Sequence, residues 1–145
     1  MTAQNQLEKD SAFALDITVR FAETDLMGVV HHASYIVWFE AGRVAWMGAA
    51  GLPYAQIFNA GYNFAVTDVQ CRYRTAIRFG DPVQVITRLV SLRSRQVEFA
   101  YAVVNSTTGT LCATGSSSHI CVDRAGAMTR VPTWVAEGLT GERET

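Results

Sequence analysis

Residues 33–50 read ASYIVWFEAGRVAWMGAA and form the most apolar window of the chain. Glu40 and Arg43 lie in its middle, so the window predicts a buried helix of a globular domain and not a membrane span. Aromatic and aliphatic side chains fall on nearly every helical face, which predicts a helix that is buried almost all round. Gly51 follows the window and ends the helix.

Strand patterns flank this helix. Apolar and polar side chains alternate before it, between residues 13 and 21, with the period of a half-buried strand. Four further stretches with this period follow the helix and are separated by turn signals, at residues 62–78, 83–89, 97–103 and 111–122. Short helices are expected at residues 53–60 and 133–139. The order predicts an α+β fold in which a five-stranded antiparallel sheet wraps around one long buried helix. A second protomer would cover the rest of that helix.

Composition limits the remaining possibilities. The 145 residues form one predicted domain, 1–145, with residues 1–12 as a flexible tail. Net charge is −1 and no basic run occurs, which argues against nucleic acid or a membrane surface as a partner. The three cysteines lack the spacing of metal ligands, and no apolar leader is visible. We therefore expect no metal site and a cytoplasmic location.

The segment before the helix carries the groups that acyl chemistry needs. Residues 23–32 read ETDLMGVVHH and include a carboxylate, a glycine and two histidines. Asp25 can serve as a general base or as a nucleophile at an acyl carbon. Free N–H groups at the following helix N terminus can hold the charge that develops on the acyl oxygen. On spacing alone, an Asx turn at Asp25 is an equally good interpretation.

Two stretches, residues 19–35 (VRFAETDLMGVVHHASY) and 39–43 (FEAGR), resemble the signature of hotdog-fold acyl-CoA thioesterases. The similarity is closest to the 4-hydroxybenzoyl-CoA thioesterase-like group, including its Tol-Pal-associated branch, and it extends over residues 15–132. The resemblance implies the hotdog fold and a hydrolase that releases a free acid and a thiol. It also implies homodimers or homotetramers with sites shared between protomers. Coenzyme A would enter as part of the substrate, with no separate cofactor.

The resemblance also implies roles for individual residues. Asp25 matches the catalytic carboxylate, and His32 matches an assisting histidine beside the backbone N–H that polarises the thioester carbonyl. Gly28 leaves the backbone open to the thioester. The expected substrate-binding residues are Gly28, Val30, His31, Tyr35 and Phe39. Phe21 stands where the Tol-Pal-associated branch often has a tyrosine, so a role that needs that hydroxyl is lost.

Other residues receive plainer interpretations. Glu40 and Arg43, three residues apart, predict an ion pair on the helix surface. His119 lies in the middle of a strand and is expected to have its hydrogen bonds satisfied within the sheet. An apolar slot that favours aromatic or medium-length acyl groups over acetyl is predicted from six aromatic residues: Phe21, Tyr35, Trp38, Phe39, Tyr62 and Phe64.

Two further functions stay open at this point. Hotdog hydratases also use an Asp/His pair, on enoyl-CoA substrates. A module without enzymatic activity could instead bind an acyl-carrier protein or a membrane-associated complex. Coenzyme A and an acyl-carrier protein are both suitable carriers of the thioester, and the residues do not distinguish them.

Overall fold

The computed structural model describes residues 12–141, so only the last residue of the predicted tail falls within it. The elements in chain order are β1 (Phe13–Thr18), a 3-10 turn (Phe21–Glu23), the long helix α1 (His32–Ala49), α2 (Tyr54–Asn59), β2 (Tyr62–Tyr73), β3 (Pro82–Leu92), β4 (Gln96–Asn105), β5 (Leu111–Asp123) and α3 (Thr133–Thr140). The predicted strands and both short helices are present. Within residues 12–141, no helix has the length and apolar character to cross a membrane.

The five strands form one antiparallel sheet in the order β1-β3-β4-β5-β2. This confirms the predicted fold class. The strands β3, β4 and β5 pair with their sequence neighbours, but β2 does not pair with β3. It lies at the opposite edge of the sheet against β5, and β1 takes the place beside β3. The strand predicted to reach residue 78 ends at Tyr73, where its pairing with Ala113 near the start of β5 ends.

The helix α1 buries one face against the sheet. Its buried residues recur every three or four positions, as an amphipathic contact requires: Tyr35, Trp38, Phe39, Gly42, Trp46 and Met47. On the other side, Ile36, Val37 and Val44 are 42%, 54% and 44% exposed. The prediction of burial almost all round is therefore wrong for the single chain, because one sheet covers only one side of a helix.

Two glycines bring α1 close to the sheet. A Cβ atom on Gly42 would lie 2.5 Å from Thr87 Oγ1 and 2.9 Å from Val85 Cγ1. On β5, a Cβ atom on Gly115 would collide with the ring of Phe39. Any larger residue at either position would push the helix outward. The distance between α1 and the central strands is therefore set by the absence of two side chains.

Candidate active site

The Asp25 segment is a closed loop between the 3-10 turn and α1. Thr24 and Val30 pair across its base as an antiparallel bridge, and Val29 pairs in the same way with Arg78. Val30 N–H also donates to the carbonyl of Ile77 at 2.7 Å. These backbone bonds hold the loop against the segment that leads into β3.

Asp25 is exposed, and one of its two carboxylate oxygens is already engaged. Oδ1 accepts hydrogen bonds from the N–H groups of Met27 at 2.8 Å and Val29 at 3.4 Å. Gly28 has a φ of 77°, a left-handed conformation that suits glycine. Oδ2 has no hydrogen-bond partner among residues 12–141. The Asx-turn interpretation is thus correct for Oδ1, and it leaves Oδ2 free to meet a substrate.

One backbone donor is free at the start of α1. The N–H of His31 donates to the carbonyl of Glu23 at 2.7 Å. His31 then caps the helix, because its Nδ1 accepts from Ala33 N–H at 3.1 Å and its carbonyl accepts from Ser34 N–H at 3.0 Å. No acceptor for the N–H of His32 exists in the part of the chain that the structure describes. The free donor lies at the positive end of the helix dipole.

The two histidine rings stack on each other, with centroids 4.1 Å apart and an interplanar angle of 30°. Both residues are exposed. The carbonyl of His32 accepts a hydrogen bond from the hydroxyl of Tyr73 at 2.8 Å. Burial, reinforced by Cys71, raises the pKa of Tyr73 to about 12, so the phenol keeps its proton and remains a donor. Tyr73 therefore fixes the first turn of the helix from β2.

Glu23 is a structural residue of the site that the sequence did not single out. Its side chain is only 7% exposed, and its carboxylate accepts from Trp38 Nε1 at 2.8 Å and from Arg20 N–H at 2.8 Å. Burial alone would raise the pKa of Glu23. The hydrogen bonds from Arg20 and Trp38, together with the Arg20 guanidinium at 3.5 Å, outweigh burial and lower that pKa. The ionised carboxylate fastens the loop to α1.

The predicted substrate residues divide into two groups. Gly28 and His31 are exposed beside Asp25 and His32. Val30, Tyr35 and Phe39 are 6%, 4% and 2% exposed and lie in the core of the single chain. Around the loop, the exposed large apolar side chains are Phe21, Leu26, Met27 and Phe79.

The structure contradicts two interpretations of residues outside the Asp25 loop. Glu40 and Arg43 form no ion pair in the described part of the chain, because Glu40 is exposed while Arg43 is half-buried and meets His119, with Nη1 3.4 Å from Nε2. His119 is satisfied at Nε2, which also contacts Ser117 Oγ at 2.7 Å. Its Nδ1, however, is buried without a hydrogen-bond partner.

Solved structures of similar proteins share this architecture. The Thermus thermophilus hypothetical protein TT1821 superposes with a TM-score of 0.84 at 38% identity, over 92% of this chain and 99% of that protein. The DHNA-CoA thioesterase of Staphylococcus aureus superposes with a TM-score of 0.77 at 30% identity, over 83% of this chain and 79% of that enzyme. Both likenesses confirm the hotdog arrangement of sheet and helix.

Sequence comparison agrees with the structural likeness. The Bacillus subtilis protein named "Putative acyl-CoA thioesterase YneP" is 36% identical over 109 residues, which are 75% of this chain and 78% of that protein. A family model described as the thioesterase-like superfamily matches residues 19–139. The match spans the Asp25 loop, the long helix and the strands β2 to β5, and it shows that the chain belongs to the thioesterase-like superfamily.

Proposed function

We propose that this chain hydrolyses the thioester of an acyl-CoA to a free acid and coenzyme A. The observation that carries the proposal is a loop, held in place by hydrogen bonds, that leads from Asp25 to the start of α1, and in which Asp25 Oδ2 and His32 N–H both lack a partner among residues 12–141. Membership of the thioesterase-like superfamily and the names of two relatives support it.

The mechanism begins with the thioester carbonyl oxygen accepting the N–H of His32. Asp25 Oδ2 then takes a proton from a water that attacks the acyl carbon, or it attacks that carbon itself to form an anhydride that water opens. Either route places negative charge on the carbonyl oxygen. One aligned donor lowers such a barrier by about 3 kcal/mol. In both routes the carbon–sulfur bond breaks as the tetrahedral intermediate collapses, before water opens any anhydride, and the protonated imidazole of His32 can give its proton to the departing thiolate.

The spacing of the two groups suits a substrate between them. Asp25 N–H pairs with the carbonyl of Val29 at 2.8 Å, and Val29 precedes His32 by three residues. Three residues of extended chain span at most roughly 10 Å, which sets an upper limit on the separation of the two backbone segments. The two groups make no direct hydrogen bond within residues 12–141. An acyl carbon can therefore lie between a carboxylate oxygen on one side and a backbone donor on the other.

Arg78 is well placed for the phosphates of coenzyme A. Its backbone pairs with Val29, and its Nη1 lies 3.9 Å from the position a Cβ atom on Gly28 would take. It forms no ion pair among the described residues, and a guanidinium suits phosphate recognition.

Arg78→Gln should raise KM several-fold and leave kcat nearly unchanged. Arg88→Gln, at an exposed position on β3, is the matched control.

The enzyme should act as a homodimer or homotetramer. The exposed apolar stripe of α1 (Ile36, Val37, Val44) and the exposed middle of the edge strand β2 (residues 66–70) are surfaces that a second protomer would cover. Light scattering at the assay concentration should report a dimer or a larger assembly. A monomer with full activity would contradict both the assembly and a shared site.

A thiol-release assay tests the proposed reaction. Acetyl-, hexanoyl-, octanoyl- and benzoyl-CoA should be compared, with an acyl-carrier-protein thioester in parallel. Crotonyl-CoA reports hydration separately from thiol release. Thiol release confirms hydrolysis. Hydration without thiol release would establish the hydratase alternative, and tight binding of the acyl-carrier protein without any turnover would establish a binding module.

The same screen tests the predicted acyl preference. Each buried methylene group contributes about 0.8 kcal/mol, so an apolar slot favours longer or aromatic acyl groups over acetyl. Of the six aromatic residues predicted to line the slot, Phe21 is 77% exposed, while Tyr35, Trp38 and Phe39 pack in the core. Equal specificity constants for acetyl-CoA and the larger substrates would show that the slot is filled by the protein itself.

A further inference from the structure

A polar cluster lies under the C-terminal half of α1, away from the proposed active site. Arg43 follows His32 by eleven residues, which is about 16 Å along the helix. Arg43 Nη1 lies 3.4 Å from Nε2 of His119. Ser117 Oγ lies 2.7 Å from the same nitrogen and 2.6 Å from the hydroxyl of Tyr101. Hydrogen bonds thus orient the ring of His119 between the helix and the sheet.

The proton of the His119 ring is located by its neighbours. Burial, together with the Arg43 guanidinium, lowers the pKa of His119 to about 4, so the ring is neutral at pH 7 and carries one proton. We assign the proton to Nδ1, because arginine can only donate and Nε2 is then the acceptor of the hydrogen bond from Arg43. His119 is 0% exposed, and Nδ1 has no partner among residues 12–141. A buried N–H donor without an acceptor is rare and costly.

The guanidinium of Arg43 also lacks an anion. Within the described residues, the one ion pair joins Arg20 and Glu23. Glu40, one turn earlier on α1, is exposed and does not reach the guanidinium. Arg43 is half-buried, where a positive charge without a counterion is unfavourable. The Arg43 guanidinium is therefore left without a counterion, and Nδ1 of His119 without an acceptor, among the described residues.

A cavity lies beside both residues. Arg43, His119 and Tyr54 are its lining residues with polar groups, and its other side chains are apolar, among them Met47, Ile57, Phe64, Val97 and Phe99. It offers about 30 Å³ for the centres of water-sized molecules. That volume is roughly two to three times the volume that a single water needs, so the cavity accepts a ligand with only a few carbon atoms.

We propose that this cavity binds a short-chain organic carboxylate. The carboxylate accepts hydrogen bonds from the Arg43 guanidinium and from Nδ1–H of His119, and the short alkyl group packs against the apolar lining. Tyr101 and Ser117 are positioning residues that hold the imidazole in the required tautomer. The site makes no use of Asp25 or of a thioester, so a test of carboxylate binding can fail or succeed independently of a test of the proposed hydrolysis.

Isobutyrate is a suitable probe, with isobutyramide as the neutral ligand of the same shape. The chain has three histidines, so the ring nitrogens of His119 can be followed by NMR in protein labelled with ¹⁵N-histidine. Isobutyrate should shift the Nδ1 resonance of His119 with a dissociation constant on the order of 1 mM. Isobutyramide should bind at least tenfold more weakly, and dodecanoate should not compete because its chain exceeds the cavity.

Variants at Arg43 complete the test. Arg43→Met keeps an apolar stem, removes the charge and should weaken isobutyrate binding at least tenfold. Arg43→Lys should retain part of the affinity, and Arg88→Met, at an exposed arginine on β3, should retain all of it. If Arg43→Met does not fold, the affinities of the parent protein for isobutyrate and for isobutyramide still test whether the cavity binds a carboxylate.

Two results would overturn the proposal. One is an equal response of His119 to isobutyrate and isobutyramide that persists in Arg43→Met. The other is a crystal structure grown with isobutyrate in which Nδ1 of His119 meets only an ordered water, since a single water would also satisfy that donor.

Discussion

The polar groups near the two ends of α1 differ in their hydrogen-bonding character. Among residues 12–141, the groups without a partner at the N-terminal end are one acceptor, Asp25 Oδ2, and one donor, His32 N–H, both at the surface. Toward the C-terminal end, the unmatched groups are the Arg43 charge, which has no counterion, and the donor Nδ1–H of His119, next to a small cavity. A donor and an acceptor together can polarise and attack a bond, whereas two donors can only hold an anion. The contrast separates the proposed site of chemistry from the proposed site of binding.

The largest expected effect tests the first half of this contrast. Asp25→Asn should lower kcat/KM for thiol release by about 10³-fold or more, because an amide is neither a base nor a good nucleophile. The Asn oxygen can still accept from Met27 and Val29, so the loop should keep its shape. An unchanged circular dichroism spectrum and melting temperature would verify that. Thiol release near the parent rate would remove Asp25 from the reaction.

The next effect concerns the buried histidine. The pKa of His119 in the folded chain, about 4, lies below its ordinary value of 6.5. Between these two pH values the unfolded chain binds a proton at His119 and the folded chain does not, so stability falls as pH drops. The loss approaches about 3 kcal/mol when pH reaches the folded-state pKa.

Urea unfolding at several pH values between 7 and 4 measures this loss. His119→Gln should be less stable than the parent at pH 7, because it leaves Ser117 or Arg43 less well paired. It should also lose less stability on acidification than the parent does. Parallel stability curves for the two proteins would show that the imidazole does not titrate as proposed.

A third effect tests the anchor of the loop. Glu23→Gln should destabilise the fold by about 2 kcal/mol, because an amide cannot accept from both Trp38 Nε1 and Arg20 N–H, and one buried donor is left unpaired. Glu137→Gln, at an exposed position on α3, should change stability by less than about 0.5 kcal/mol. Denaturant titration compares the two variants. Equal, small losses in both would mean that the buried carboxylate is not an anchor.

The smallest effect distinguishes the side chain of His32 from its backbone. His32→Ala keeps the N–H that is proposed to bind the carbonyl oxygen, so kcat should fall only about tenfold, well short of the effect of Asp25→Asn. The loss should be confined to turnover, since the ring is exposed and its contact is the stacked ring of His31. A lower melting temperature with unchanged turnover per folded molecule would assign His32 a structural role instead.

The sequence predicts local features well and distant ones poorly. The period of apolar residues located the helices and strands, and the resemblance over residues 19–35 singled out Asp25 and His32. The placement of β2 beside β5 was missed, because turn residues show where a chain bends and not which edge of the sheet it joins. Glu23 and Tyr73 were missed because their partners, Trp38 and His32, are 15 and 41 residues away.

The C-terminal cluster was missed for the same reason. Arg43 and His119 are 76 residues apart, and the ion pair expected with Glu40 used only the local spacing on the helix. Burial of α1 was overestimated. An apolar composition shows which side chains of a helix favour burial, but it does not show whether other elements are present to cover them. Contacts between elements are decided by the assembled sheet, and no single stretch of residues reports them.

The close seating of α1 at Gly42 and Gly115 has a consequence for substrate range. Thr87, Val85 and the ring of Phe39 fill the space between the middle of the helix and the sheet, so this contact holds no room for an acyl chain. Under the proposed hydrolysis, a long acyl chain would run across the outer, solvent-facing side of the helix. Chain-length selectivity in this protein would be determined by whatever surface faces that side, and could change without any change to the core.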